Sequence, residues 1–77
     1  MTEIRMPRLG EAVTEGYLIE YYIVDGGAVT AGDLLYRVET AKAETDIEAP
    51  VSGVVRHVAT VENEYPVGEL IAVIDEA

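Results

Sequence analysis

Turn-forming residues cut this chain into short pieces from end to end: Pro7 and Gly10, Gly26-Gly27, Gly32-Asp33, Pro50 with Gly53, and Pro66 with Gly68. Between them no stretch carries a clean helical period, and eleven Val, six Ile and six Thr supply a β-branched excess. Alternation is cleanest over residues 43–49, where Ala43, Thr45, Ile47 and Ala49 share one face and Glu44, Asp46 and Glu48 the other. Residues 34–39 read as a second strand, with Leu34, Tyr36 and Val38 opposed by Leu35, Arg37 and Glu39. Further strands fit residues 3–6, 16–24, 53–61 and 70–74, the last partly apolar on both faces. Many short strands with regular punctuation make an antiparallel sandwich or flattened barrel. The fold class is all-β, a single domain over residues 1–77.

A repeat runs through this pattern. Gly32-Asp33-Leu34-Leu35-Tyr36-Arg37-Val38 returns 36 residues later as Gly68-Glu69-Leu70-Ile71-Ala72-Val73-Ile74, and Val29 falls opposite Tyr65 at the same offset. Gly16-Tyr17-Leu18-Ile19 and Gly53-Val54-Val55-Arg56 form a looser pair, offset by 37. Glycine, acid and apolar positions recur together, so two similar halves of about four strands are expected around a pseudo-twofold, each covering the apolar face of the other. Tyr65 is accordingly expected in the core.

Apolar residues make up 49% of the chain, enough for a core, yet fifteen acids against five bases leave a net charge of −10. With no basic patch, nucleic acid and anionic membranes are poor partners. No apolar run approaches membrane-spanning length, and Met1-Thr2-Glu3-Ile4 opens neither a signal nor a transit peptide. The absence of cysteine removes disulfides, thiol nucleophiles and thiolate zinc sites. His57 has no second histidine to share a metal and no evident nucleophile to activate, since nothing brings it to Ser52, so it reads as a strand-surface residue. A chain this small has little room for both a core and a catalytic cleft, and an enzyme in its own right is the poorer reading.

Where the halves differ is informative. The first half continues from Val38 through Glu39-Thr40-Ala41-Lys42-Ala43 into the acidic strand; the second stops at Asp75-Glu76-Ala77. Lys42 is the sole lysine beside four arginines, and it falls at the tip of a tight turn over residues 40–43. A lone turn lysine is ordinarily a solubilising charge. Here it sits on a stiff protrusion, and unlike arginine its amine can be acylated. A rigid β scaffold presenting one acylatable amine suits a carrier.

Three segments carry a family resemblance. Met6-Pro7-Arg8-Leu9-Gly10-Glu11-Ala12-Val13-Thr14-Glu15-Gly16, Val38-Glu39-Thr40-Ala41-Lys42-Ala43 and Ala49-Pro50-Val51-Ser52-Gly53-Val54-Val55 resemble, in order and at matching spacing, the lipoyl domains of 2-oxo acid dehydrogenase complexes, within the wider biotinyl/lipoyl-attachment family. The resemblance implies that Lys42 carries lipoate through an amide. It also implies that Glu39 helps a ligase recognise its target, and that Gly26 and Gly53, sixteen before and eleven after the lysine, position the turn. Thr40, Ala41 and Ala43 complete the recognised turn. Ala41 departs from the pattern, standing where an aspartate is usual, and Tyr21 stands where a tryptophan is common. The implied partners are a lipoate ligase or lipoyl transferase, a 2-oxo acid dehydrogenase, an acyltransferase core and dihydrolipoamide dehydrogenase, met by a monomeric carrier that makes no bonds itself. By analogy the compartment is bacterial cytoplasm or mitochondrial matrix, and the chain is either free-standing or one domain of a longer protein.

The loop containing Leu9, Gly10 and Glu11 reads equally as a plain connection or as a partner-choosing loop near the lysine. The face of Glu44, Asp46 and Glu48 reads first as a solvated face that blocks edge-to-edge pairing, and second as a docking stripe for basic surfaces. Two other readings compete with lipoate. One is a biotin carrier, against which stand Thr40 and Ala43 in place of the Ala and second Met of Ala-Met-Lys-Met; the other is an unmodified structural module of the same fold.

Overall fold

The computed structural model describes residues 1–76; Ala77, at which the second half of the repeat is read to end, lies outside them. Eight strands follow one another: β1 (Thr2–Arg5), β2 (Glu15–Tyr21), β3 (Ala28–Val29), β4 (Leu34–Glu39), β5 (Glu44–Glu48), β6 (Gly53–His57), β7 (Asn63–Pro66) and β8 (Leu70–Asp75). They form two four-stranded antiparallel sheets, ordered β1-β8-β6-β3 and β5-β4-β2-β7. The fold is the expected all-β sandwich.

The sheet orders make the repeat explicit. Renaming β1–β4 as β5–β8 converts one sheet into the other. The halves therefore do not stack as separate layers: each contributes two strands to each sheet, and each apolar face is covered by interleaving. The pairing detail repeats as well. Ile4 pairs with Ala72 as Ile47 pairs with Tyr36. The Met6 carbonyl accepts the Gly68 N–H at 2.9 Å as the Ala49 carbonyl accepts the Gly32 N–H at 2.8 Å. Gly32 and Gly68 share a φ of +94°, a left-handed turn conformation that glycine adopts without strain.

The core joins Leu18, Val29, Leu35, Tyr36 and Val38 of the first half to Val55, Ile71, Ala72 and Ile74 of the second, with Ile4, Met6 and Ala49. Strict alternation fails at one symmetric pair of places, besides a bulge at Ile19 of β2 that β6 does not repeat. β-bulges interrupt the register next to Leu35 in β4 and next to Ile71 in β8. The extra residue turns both Leu35 and Tyr36 inward, so Leu35 is 0% exposed and Leu34 is left 43% exposed. The alternation that groups Leu34 with Tyr36 and Val38 is corrected: the buried residues are Leu35, Tyr36 and Val38.

Other differences have simple causes. Two short edge strands, β3 and β7, escape the sequence pattern because pieces of two and four residues carry too few alternations to register. The strands read as 16–24 and 53–61 end at Tyr21 and His57, beyond which the backbone bends away. Tyr65 is half-buried rather than central: its ring packs against the core while its hydroxyl accepts the Thr60 N–H at 2.9 Å and donates to the Thr60 carbonyl. Tyr21 is partly buried, its hydroxyl 2.8 Å from the carbonyls of Ala59 and Ile71.

Candidate functional site: the Lys42 hairpin

β4 and β5 pair from Leu34↔Glu48 to Glu39↔Glu44, leaving residues 40–43 as the hairpin loop. The loop is closed from within. The Thr40 N–H donates to the Ala43 carbonyl at 2.8 Å, and the Thr40 hydroxyl donates to that carbonyl at 3.3 Å while accepting the Lys42 N–H at 3.4 Å. Thr40 thus fixes the backbone on which Lys42 stands, while Ala41, Lys42 and Ala43 are exposed. Among the described residues no carboxylate forms an ion pair with the Lys42 ammonium.

A groove of about 610 Å³ opens beside the lysine, walled by residues 12–15, residues 39–42 and Glu64. These pieces meet because β2 is central in its sheet: Tyr17 pairs with Glu39 of β4 on one side and with Glu64 of β7 on the other. Glu15, Glu39 and Glu64 ring the groove with negative charge, and Ala12, Val13 and Ala41 give it methyl-lined wall. The loop before β2 therefore does reach the lysine, through residues 12–15. Leu9 instead packs against the core, Gly10 accepts the Val13 N–H at 3.1 Å, and the Glu11 carbonyl accepts a bond from Arg8 at 3.2 Å.

A family model described as biotin-requiring enzyme matches residues 2–74. The chain belongs to this biotin/lipoyl-attachment family. Similar relatives include the dihydrolipoyllysine-residue acetyltransferase component of the pyruvate dehydrogenase complex of Zymomonas mobilis, 38% identical over 97% of this chain and 18% of that protein. The component of the same name from Corynebacterium glutamicum is 37% identical over 96% of this chain and 11% of its own length. The corresponding component of an acetoin cleaving system from Pseudomonas putida is 39% identical over 95% and 20%. The chain thus spans a fifth or less of each of these relatives.

In this biotin/lipoyl-type domain the acidic face of β5 is less free than it looked. Arg37 on β4 reaches across to Glu44 at 2.7 Å and to Asp46 at 3.7 Å, and the Tyr22 hydroxyl donates to Asp46 at 2.6 Å. The bond to Asp46 holds the Tyr22 phenol above its usual range, and the bond to Tyr22 followed by Glu44 raises the Arg37 guanidinium further. Of the three acids, Glu48 alone has no ion-pair or side-chain hydrogen-bond partner among the described residues. The part played by Arg37 was readable: a turn over residues 40–43 that pairs Glu39 with Glu44 necessarily places Arg37 opposite Asp46. Glu15 and Glu64 were not readable, because only the pairing of β2 with β4 and with β7 brings them to the lysine.

Gly26 and Gly53 do not join the lysine turn. β2 runs away from it, from Glu15 to Tyr21, and the Gly26 N–H beyond its end donates to the Val55 carbonyl at 2.7 Å. Gly53 opens β6 there, where an added Cβ would lie 2.3 Å from the Asp75 carbonyl oxygen. Both shape the scaffold at the pole away from Lys42. His57 is also structural: its ring stacks on Tyr21 at 3.6 Å and its Nε2 lies 2.7 Å from the Ile23 carbonyl. Ser52 Oγ accepts the Ala31 N–H at 2.8 Å, so the two are occupied separately. No metal-binding cluster occurs, and no helix is long and apolar enough to cross a membrane, among the described residues.

Proposed function

We propose that this chain is a lipoyl carrier, moving acyl groups and reducing equivalents on Lys42 between the components of a 2-oxo acid dehydrogenase complex. The observation that carries the reading is a single lysine on the exposed tip of an internally braced hairpin, in a family whose similar members are named as dihydrolipoyllysine-residue acetyltransferase components. The residues fit the group. The amine is exposed, has no ion pair among the described residues that would have to be broken, and stands on backbone held by Thr40. A ligase would deliver an activated lipoyl carboxyl; the deprotonated Lys42 Nζ attacks it, the activating group leaves, and the amide formed is neutral. The dithiolane supplies acyl acceptance and thiol–disulfide exchange when attached.

The chain's own task is placement. A stiff hairpin lowers the entropy lost when the lysine enters an enzyme's active site, and tethering raises its local concentration there. Glu39, one strand position before the turn, and the acid rim of Glu15 and Glu64 offer a charged frame to a basic ligase or dehydrogenase. Thr40, Ala41 and Ala43 define the turn a ligase must fit, and Leu9, Gly10 and Glu11 anchor the loop whose far end walls the groove. Glu48 is the one acid of the β5 stripe whose carboxylate is unpaired among the described residues, and so open to docking. The wider complex would supply the dehydrogenase, the acyltransferase core and dihydrolipoamide dehydrogenase.

The test is intact mass and peptide mapping after expression with lipoate, biotin and both ligases. A lipoyl increment on Lys42 is expected. A biotinyl increment would assign the domain to carboxylases, and a bare Lys42 that remains bare in Ala41→Asp would end the carrier reading.

A further inference from the structure

The methyl-lined wall of Ala12, Val13 and Ala41 stands directly beside Lys42, and its position suggests an occupant. We infer that the groove seats the neutral arm that acylation builds on Lys42, so that the arm has a docked resting state on its own domain. The inference rests on the lipoyl reading of Lys42. The arm is the favoured occupant because its root, Lys42, is itself part of the groove wall. A tethered group meets an adjacent surface at a high effective concentration, so even weak apolar contact populates the docked state. The groove's volume of about 610 Å³ falls within the usual range for small-molecule sites.

Charge points the same way. Before acylation the Lys42 ammonium stands near a rim of Glu15, Glu39 and Glu64. Amide formation removes the cation and leaves a chain of methylenes ending in a dithiolane, for which Ala12, Val13 and Ala41 are the better neighbours. Ala41 is the decisive residue. It stands where the resembling domains carry aspartate, and a carboxylate in that part of the wall would be costly to desolvate under an apolar arm. The departure that weakens the match to the ligase motif is the one that makes the groove wall apolar.

The test uses the fact that Lys42 is the only lysine. An activated lipoyl ester installs the arm chemically, whether or not a ligase accepts the turn; ion-exchange separates the mono-acylated species, and peptide mapping of an aliquot identifies the one modified at Lys42 rather than at the Met1 amine. Amide spectra are then compared for the bare, Nε-acetyl and Nε-lipoyl forms. The expected result is that lipoyl shifts residues 12–15 and Glu64 at least three-fold more than acetyl does, and that Ala41→Asp abolishes this excess. Shifts confined to residues 40–43, or an acetyl form that reproduces the lipoyl pattern, would overturn the docked arm. Failure of enzymatic lipoylation alongside the expected shifts would instead count against the carrier reading and leave the groove assignment standing.

Discussion

The two halves of this domain share a backbone plan and differ in what they put on it. Both carry a bulge at the same place, with Leu35 and Ile71 turned inward, and both close with a glycine at the same φ. The side chains break the symmetry. Tyr36 and Met6 from the first half occupy positions filled by Ala72 and Ala49 in the second, large residues answering small ones across the interleaved sheets. Positive φ is carried by Gly26 in one half and by Glu62 in the other, each donating its N–H to the sheet at an equivalent point, Val55 and Leu18. The β4–β5 connection carries Lys42, and β8 leads to no such hairpin within the described residues. Symmetry supplies a rigid, doubly tied frame, and the proposed attachment site lies on the β4–β5 connection.

The sharpest test of that asymmetry is Lys42→Arg. It should abolish acyl attachment completely by intact mass while leaving the thermal midpoint unchanged, since the lysine side chain has no ion-pair partner among the described residues; a large loss of stability would mean the turn needs its lysine. Next in size is a pair at symmetric positions. An added Cβ at Gly53 meets the Asp75 backbone at 2.3 Å, whereas at Gly16 it meets the Val38 and Met6 side chains at 2.7 and 2.8 Å. Backbone cannot yield as Met6 can, although the buried Val38 methyl gives less readily, so Gly53→Ala should cost about 3 kcal/mol and Gly16→Ala about 2 kcal/mol by denaturant unfolding. Equal losses would show that the halves are interchangeable after all.

Tyr36 tests the packing asymmetry. Its hydroxyl is buried without a hydrogen-bond partner among the described residues, so Tyr36→Phe should stabilise the domain by about 1 kcal/mol. Burial pushes the phenols of Tyr36 and Tyr21 up to about 12 from 10.0. In the unfolded chain they ionise near 10, so unfolding releases protons at high pH. Their contribution is intact below pH 10 and falls away as the pH rises toward 12. The fall should be shallower in Tyr36→Phe, measured as the unfolding midpoint against pH. The smallest effect is expected at Glu62. Its φ of +62° costs a side chain what Gly26 avoids, and Glu62→Gly should gain about 0.5 kcal/mol once the added freedom of the unfolded chain is offset.

Much of this was legible in the residues. The alternation over residues 43–49 gave β5 its faces, and the paired Gly-acid-apolar runs gave the twofold. The position of Lys42 followed from the turn between the two clearest strands. The bulge at Leu35 was not legible, because an inserted residue in an apolar run looks like any other apolar residue until its partner strand is known. The β1–β5 correspondence was hidden in the same way: Met6-Pro7 and Ala49-Pro50 are equivalent, but their offset differs from that of the rest of the repeat. At the site, Glu39 and the turn were visible because they are contiguous. Glu15, Val13 and Glu64 became neighbours only through strand pairing across β2.

That last feature bears on how the chain matures. Lys42 is chemically accessible from the moment it is synthesised, but the groove beside it is assembled from three stretches far apart in sequence. It forms when β7, from the second half, has closed against β2, from the first. An enzyme that reads only the turn would modify unfinished chains. One that reads the groove would modify finished ones, and the arm would then serve as a certificate that the domain had folded.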